Sequence, residues 1–387
     1  MNNIELEQLK RDIIDFYGDA QMADNINKLS NVDLARIKLV ISKLKKQKQL
    51  EHRISKNKKD NAYNKLKSIP PPTPNPNQPT QPKFISIPHG VKPKIVLISD
   101  VKGWAWWIKS EYIKKYLSDE FDIDIKCIFG NRDRYNDTKK YDLYFTFGYS
   151  YIKNIDNAPK YKRASGITAH RHRETIRSNM NKVNIIHANS MLLKNELHDM
   201  GFKKVYYVPN GVDEELFRPV TPIPLIRDNI NVGHVGKESP LKGQQEFIYP
   251  AVKKAGANFI SNVKNWSEKK PYKDMWEIYQ NMDCFIVASI EDGTPNPALE
   301  AAACGRPIIS NRIGNMPEFI RDGYNGFLVD KNINAYVEKI NYLKNNRDKL
   351  IEMGNNARKT VEGGWTWKIQ AENYRKMFKE IFTYEGA

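Results

Sequence analysis

The sequence predicts an α/β protein of two successive doubly wound units with a small helical appendage ahead of them, and three observations carry that expectation. Short apolar runs alternate with helical stretches from residue 94 onward, the pattern of a parallel sheet covered on both faces. The alternation restarts at residue 231, so a second sheet follows the first. Residues 70–82, PPPTPNPNQPTQP, hold seven prolines in thirteen positions. Proline removes amide donors and favours extended chain, so this stretch reads as a linker.

In chain order, residues 4–16 and 32–50 space apolar residues by three and four and read as amphipathic helices, the second capped by Asn31. From Arg36 to Lys67 there are 12 basic and 2 acidic residues, either a solvated face or a docking surface for an anion. Residues 1–69 are thus expected as a basic helical module and 70–92 as its linker. The first unit, 93–212, holds strand KIVLISD (94–100), a helix at 104–117, and strands FDIDIKCIF (121–129), DLYFTFG (142–148), NIIHANS (184–190) and VYYVPNG (205–211). The second, 213–364, holds NVGHVG (231–236), a helix near 243–256, NFISNV (258–263), MDCFIVAS (282–289), a helix at 297–304, RPIISN (306–311) and GFLVD (326–330). Ligands of such sheets bind in the crevice beyond the carboxyl ends of the strands.

Composition narrows the class. A chain of 387 residues with 40% apolar residues, 21 glycines and 21 prolines suits two or three folded domains, and excludes collagen-like or wholly disordered chains. Cys127, Cys284 and Cys304 are too few and scattered for a disulfide framework or a zinc site, and suit a reducing compartment. No apolar stretch approaches the roughly 18 to 20 residues of a membrane span, and the start MNNIELEQLK is acidic and polar where a signal peptide is basic then apolar. A cytoplasmic protein is expected.

The net charge is +17, divided as +6 over residues 1–69, +9 over 70–227, +1 over 228–362 and +1 over 363–387. A one-sided positive field favours a polyanionic partner: nucleic acid, an anionic membrane or a phosphorylated substrate. Codon bias toward Lys, Asn and Ile is the alternative, but bias alone would not leave 228–362 neutral.

Four signals lie in the second unit. Gly233-His234-Val235-Gly236-Lys237 ends a strand, and Lys242-Gly243 opens a helix. Glycines there let backbone approach a phosphate, a helix N-terminus favours negative charge, and two lysines neutralise a diphosphate without metal. The same residues also make an ordinary turn. Second, SIEDGTPNPALE (289–300) places Asp292 and Glu300 on either side of a turn whose prolines fix φ and whose Gly293 permits close approach. Carboxylates at a strand tip and a helix start accept hydrogen bonds from sugar hydroxyls or a ribose. A helix dipole would account for either acid alone, but not for this composite turn. Third, Cys304-Gly305-Arg306-Pro307 closes a helix and resumes a strand, which is mainly architecture. Fourth, 314–320 and 322–329 form a loop, short helix and turn with structural glycines.

Together, Val208-Pro209-Asn210-Gly211-Val212-Asp213 with Phe217 and Pro219, the Gly236/Lys242-Gly243 loop, the Asp292 to Glu300 segment with Glu300-Ala301, Gly305-Arg306-Pro307 and Asn325-Gly326 resemble glycosyltransferase family 4. The resemblance covers 94–382 and includes Trp365-Thr366-Trp367 ahead of the last helix. It implies the GT-B fold: two Rossmann-like domains facing across a cleft, the first completed by a helix within 365–387. It further implies a retaining hexosyl- or pentosyltransferase that takes sugar from a nucleotide-sugar donor, UDP-sugar favoured. The second domain would hold the nucleotide and the first mainly the acceptor, with no cofactor beyond the nucleotide sugar and no metal requirement.

Carried over by position, Lys237 stands where the family has an arginine on the diphosphate, and Lys242 matches its partner lysine. Glu300 matches the second glutamate of a paired motif, on the nucleotide ribose. Asp292 replaces the first glutamate, with Glu291 beside it, and which of the two meets the donor sugar stays open. Gly236, Gly293, Thr294, Pro295 and Asn296 would present backbone to sugar and phosphates. Gly166-Ile167-Thr168-Ala169-His170 resembles the strand end that brings a histidine to the donor sugar, so His170 joins Lys237, Lys242, Asp292 and Glu300 as a catalytic candidate. The family's glycine-rich loop is here Asp100-Val101-Lys102-Gly103-Trp104-Ala105-Trp106, and Gly103 and Trp104 are candidate acceptor contacts because aromatics stack on a sugar or base. Catalysis in such a site is mostly electrostatic, with Lys237 and Lys242 stabilising the departing diphosphate in a cleft that excludes water.

Three readings of the acceptor stay open. In the first it is DNA: Lys160, Lys162, Arg163, Arg171, Arg173 and Arg177 flank His170 in sequence, a duplex needs such phosphate contacts, and a base hydroxyl would rotate out to reach the cleft. Phage-type glucosylation of hydroxymethylated pyrimidines fits this reading. In the second, the enzyme builds a surface glycan or glycolipid at an anionic membrane that the run 36–67 would touch. In the third, the chain is a non-catalytic GT-B scaffold binding DNA or a partner, against which Lys242, Glu300 and the Pro-Asn-Pro turn argue.

Overall fold

A computed structural model of the chain describes residues 84–128, 140–169, 173–224, 228–261 and 270–384, all within the unit Pro79–Ala387. The helices expected at 4–16 and 32–50, the basic run 36–67 and the proline-rich stretch 70–82 lie outside the described residues, as do His170 and Arg171.

The described residues form an α/β structure with two parallel Rossmann-like sheets. β1 (Ile85–Ile87) precedes the first sheet. That sheet comprises β2 (Lys94–Ser99), β3 (Asp122–Cys127), β4 (Leu143–Thr146), β5 (Arg163–Ile167), β6 (Ile185–Ala188) and β7 (Tyr206–Tyr207), in the order β3-β2-β4-β5-β6-β7. Its helices are α1 (Ala105–Leu117), α2 (Arg173–Met180) and α3 (Met191–Asp199). The central strands β2 and β4 are buried without alternation because both faces are covered, whereas the edge strand β3, DIDIKC, alternates charged and apolar residues. Leu97 and Phe145 pack with Ile113 and Leu117 of α1 on one side. Ile167 and Ile186 pack with Ile176 of α2 and Leu193 of α3 on the other. Ser190 caps α3 by accepting from the Leu193 amide at 3.3 Å.

The second sheet comprises β8 (Asn231–His234), β9 (Asn258–Ser261), β10 (Cys284–Val287), β11 (Ile308–Asn311) and β12 (Gly326–Val329), in the order β12-β11-β10-β8-β9. Around it lie α4 (Tyr249–Lys254), α5 (Trp276–Gln280), α6 (Asn296–Ala303), α7 (Met316–Phe319), α8 (Ile333–Asn345) and α9 (Arg347–Thr360). α6 is rich in alanine because it lies close in the core, with Ala298, Ala301, Ala302 and Ala303 fully buried. The single helix expected near 243–256 is instead a π-helical turn, Gln244–Ile248, running into α4. Pro250 lacks the amide that would close the regular ladder there. Arg306 is fully buried and donates to the carbonyls of Tyr279 at 3.0 Å and Thr221 at 2.8 Å, an architectural role.

The chain passes between the two sheets twice. Where the passes meet, the Val212 amide donates to the Trp365 carbonyl at 2.9 Å and the Trp367 amide to the Val212 carbonyl at 3.1 Å. A Cβ on Gly211 would stand 2.6 Å from the Trp367 Cα, so only glycine fits. α10 (Trp367–Ile381) then buries Ala371, Tyr374 and Phe378 in the core of the first sheet. β13 (Phe382–Tyr384) pairs in parallel with β1, Ile85 opposite Phe382. The C-terminal helix is thus part of the first domain.

Candidate active site

The carboxyl ends of both sheets open on one cleft of about 290 Å³. Thr168 follows β5, Asn189 follows β6, His234 ends β8 and Val287 ends β10, and all four line it. A parallel sheet delivers its loops to that end, which is why chemistry collects there.

The turn from β10 to α6 forms the centre of the second domain's wall. Asp292, Gly293, Thr294 and Pro295 are buried, and the turn is pressed against the first domain. A Cβ on Gly293 would stand 2.3 Å from the Thr168 carbonyl oxygen and 2.6 Å from Asn189 Oδ1. Thr294 Oγ1 lies 3.4 Å from the Asn189 carbonyl oxygen, to which it donates. From behind, the Asn315 amide donates to the Gly293 carbonyl at 3.0 Å.

Lys242 Nζ meets Asp292 Oδ2 at 2.5 Å, so a basic and an acidic candidate from separate loops face each other in the cleft wall. Gly243 makes this possible: its φ is +67°, and its Cα packs so tightly that a Cβ would lie 2.4 Å from the Ala288 carbonyl oxygen. Glu300 sits behind the wall on α6, where its Oε2 accepts from the buried Tyr279 hydroxyl at 2.5 Å. Its neighbourhood pushes that phenol well above its ordinary value, by burial first and by the Glu300 charge second.

Among the other sequence candidates, Gly236, Thr294, Pro295 and Asn296 line the cleft. Lys237 has an exposed side chain outside the cleft wall, and its carbonyl accepts from Gln244 Nε2 at 3.1 Å. Glu291 is half-buried beside Asp292, and of the two it is Asp292 that lines the cleft. Gly103 is exposed with φ +77°, and Trp104 stands as the N-cap of α1. The next two residues, Ala105 and Trp106, reach the cleft. Trp106 is braced edge-on to Tyr151, with ring centroids 5.2 Å apart.

The basic residues grouped around His170 in sequence separate in space. Lys162 and Arg163 stand at the start of β5, whose far end, at Thr168, meets the cleft. The Arg163 guanidinium donates to the carbonyls of Ala158 at 2.7 Å, Asp156 at 2.5 Å and Lys182 at 3.2 Å, so it pins loops beneath the sheet. Lys162 donates to the Tyr141 carbonyl at 3.3 Å and lies 3.7 Å from Asp142. Lys160 opens the short turn just ahead of them. Arg177 donates to the Met200 carbonyl at 2.8 Å. Arg173 begins α2 with an exposed side chain.

Two side chains with no role assigned from sequence also line the cleft. Lys109 of α1 is 2% exposed, and burial brings its ammonium down to about 7. His234 is 4% exposed, and burial brings its imidazolium down to about 4. Asn210, quoted above only within a motif, bonds Lys109 at 2.8 Å and Asn296 at 2.8 Å. Lys109 falls in the buried stripe Lys109, Ser110, Ile113, Leu117 of α1, a place that its residue type does not signal.

Residues 232–360 match the family described as glycosyl transferases group 1. An uncharacterised glycosyltransferase of Methanocaldococcus jannaschii is 26% identical over 213 residues, 50% of this chain and 58% of its own length. The capsular polysaccharide biosynthesis glycosyltransferase CapM of Staphylococcus aureus is 26% identical over 201 residues, 46% of this chain and 51% of its own length. The chain therefore spans about half the length of these relatives. Among solved structures, Anabaena HepE in complex with UDP and glucose superposes with a TM-score of 0.58 at 15% identity, over 74% of this chain and 100% of that one. The match to glycosyl transferases group 1 thus falls on the second domain, and the described chain has the GT-B fold expected from its motifs.

Proposed function

We propose that the chain is a retaining glycosyltransferase that moves a hexose or pentose from a nucleotide sugar, UDP-sugar favoured, to an acceptor hydroxyl. The observation that carries this reading is the convergence of Lys242, Asp292 and the Gly293–Asn296 backbone on one cleft closed by the first domain. Lys242 stabilises negative charge on the departing diphosphate, with the exposed Lys237 adding positive charge from outside the cleft wall, and the first domain's wall keeps water away. Asp292 takes a hydroxyl of the donor sugar and Glu300 the nucleotide ribose. The bond from the anomeric carbon to the phosphate oxygen breaks while the acceptor oxygen bonds on the same face. The acceptor's proton passes to the departing diphosphate. UDP is favoured because the HepE structure of the same fold is a complex with UDP and glucose.

The acceptor hydroxyl belongs to a hydroxymethylated base in DNA. What supports this is the charge division, +6 and +9 over residues 1–227 against +1 over 228–362. A second reading, a glycan or glycolipid acceptor at an anionic membrane, is favoured by the name of CapM, a capsular polysaccharide biosynthesis glycosyltransferase.

The deciding experiment measures nucleotide release from UDP-glucose, GDP-mannose and ADP-glucose, with and without DNA containing hydroxymethylated pyrimidines, alongside the DNA mass. Release coupled to a sugar-sized mass gain on DNA establishes donor and acceptor together. Release indifferent to DNA keeps the enzyme class and removes the DNA acceptor. No release with any donor or acceptor overturns the enzyme reading.

A further inference from the structure

We propose that His234 reads a hydroxyl of the sugar carried by the nucleotide, accepting its hydrogen bond at Nε2. The inference rests on the donor-site reading above and goes beyond it, because neither the motifs nor the family resemblance gives this residue a role. His234 ends β8 and lines the cleft. Its Nδ1 lies 2.9 Å from the Ile286 carbonyl oxygen of β10. A carbonyl only accepts, so Nδ1 carries the ring proton and Nε2 of the neutral ring is a bare acceptor. The ring is neutral at pH 7, because burial first and the neighbouring Lys242 charge disfavour the imidazolium. The Phe285 ring stacks on it at 5.8 Å between centroids and holds its plane.

Nε2 is buried with no hydrogen-bond partner. It turns to the Gly236 side of the cleft, where a Cβ on that glycine would stand 3.6 Å away. Across the cleft, Asn189 Oδ1 is likewise buried without a donor. With the Asp292 carboxylate, three acceptors from three loops belong to one cleft lining, which also holds two lysines, Lys242 paired with Asp292 and Lys109 bonded to Asn210. That polarity sorts the parts of a nucleotide sugar. Phosphate oxygens only accept, so they go to Lys242 and the turn amides, whereas hydroxyls donate and satisfy the acceptors. His234 lines the cleft together with Asp292, which takes the donor sugar, while Glu300, on the ribose side, is bonded to Tyr279 outside that lining. The hydroxyl is therefore one of the transferred sugar.

The test is calorimetric binding of UDP, GDP and ADP, and of UDP-glucose, GDP-mannose and ADP-glucose, to the full chain. Wild-type protein identifies the matched pair of ligands. His234→Phe is expected to bind the nucleoside diphosphate within about twofold of wild type and the nucleotide sugar about tenfold more weakly, the scale of one hydrogen bond. His234→Gln restores an acceptor and regains most of that loss. Should His234→Phe fail to fold, His234→Asn keeps a donor for Ile286, is too short to carry an acceptor to the Nε2 position, and is expected to show the same tenfold split. Equal weakening of both ligands, or an unchanged affinity for the nucleotide sugar, overturns the proposal and leaves the donor site standing. A wild-type protein that binds none of the six ligands overturns the donor site, and this proposal with it.

Discussion

Lys109 Nζ lies 2.8 Å from Asn210 Oδ1, and the same asparagine donates through Nδ2 to Asn296 Oδ1 at 2.8 Å. A buried ammonium of the first domain is thereby linked, through the segment joining the domains, to the first residue of α6 in the second. Its charge is met by ring faces, with Phe147 at 4.9 Å and Tyr374 at 5.4 Å from Nζ to centroid. These offset only part of the cost of leaving water, which is why burial alone lowers its pKa to about 7.

That cost fixes a pH dependence. An unfolded chain holds the Lys109 proton up to the ordinary lysine value of 10.5, while the folded chain releases it near 7. Between those values the unfolded state binds more protons, so this group makes stability rise with pH, by up to about 1.4 kcal/mol per unit. His187, which feels the same charge, is held near 3 by burial and does not titrate in this window. Urea unfolding of wild type and Lys109→Met is expected to show the wild type gaining on the variant by a few kcal/mol from pH 7 to pH 10. A constant difference would show that the ammonium is not buried.

Lys242→Ala is expected to lower nucleotide-coupled transfer at least about a hundredfold, the scale of losing one preorganised charge at a developing anion. The fold should survive, since Lys242 is a partly exposed side chain whose ion pair is with Asp292 in the cleft wall. For Glu300 the informative change is Glu300→Gln. Alanine would strand the buried Tyr279 hydroxyl, at a cost of about 1–3 kcal/mol, whereas glutamine still accepts its bond. Steady-state rates with thermal unfolding on the same samples check both. Near-normal turnover in either variant would remove that residue from the site.

Much of this fold was legible because central strands are buried on both faces and read as unbroken apolar runs, KIVLIS of β2 and CFIV of β10. The Asp292 to Glu300 turn was legible because prolines and glycine at a strand-to-helix junction have few other uses. Lys109 was not, because Lys114 and Lys115 follow on the same helix and lysine ordinarily faces water. The residues that enclose it, Phe147, Asn210 and Tyr374, lie far along the chain. Arg163 misled for a different reason: nearness in sequence to His170 says nothing of which end of a strand a residue occupies. Here the strand sends Thr168 to the cleft and Arg163 to the opposite edge.

Gly293→Ala tests the close approach of the domains. The added methyl would meet the Thr168 carbonyl oxygen at 2.3 Å, a backbone atom that cannot swing away. The strain falls between the domains and not within either core, so each sheet should keep its stability while the cleft is forced apart. Expected are a larger radius of gyration by X-ray scattering and a transfer rate at least about tenfold lower, since a misplaced reacting group costs heavily. Wild-type scattering and rate would mean that the approach is not needed for turnover.

Glu318 closes the same interface from the other side. From α7 its Oε1 accepts the Met191 amide at 2.6 Å, in the first turn of α3, and its Oε2 accepts the Tyr207 hydroxyl. An amide at a helix start has no partner in its own helix, and a carboxylate there also meets the positive end of the helix. The first domain therefore offers a donor that an acid of the second satisfies only when the two are together. Burial raises the Glu318 pKa, and the bonds from Tyr207 and Met191 oppose that rise. Glu318→Ala removes a charge-assisted contact worth about 1.5–3 kcal/mol, which shifts the balance between closed and open cleft. The expected result is a KM for the nucleotide sugar roughly tenfold or more higher, with thermal stability little changed. Glu318→Gln, which can still accept from Met191, should stay within about threefold of wild type. A Glu318→Ala enzyme with wild-type KM would show that this carboxylate does not hold the cleft closed.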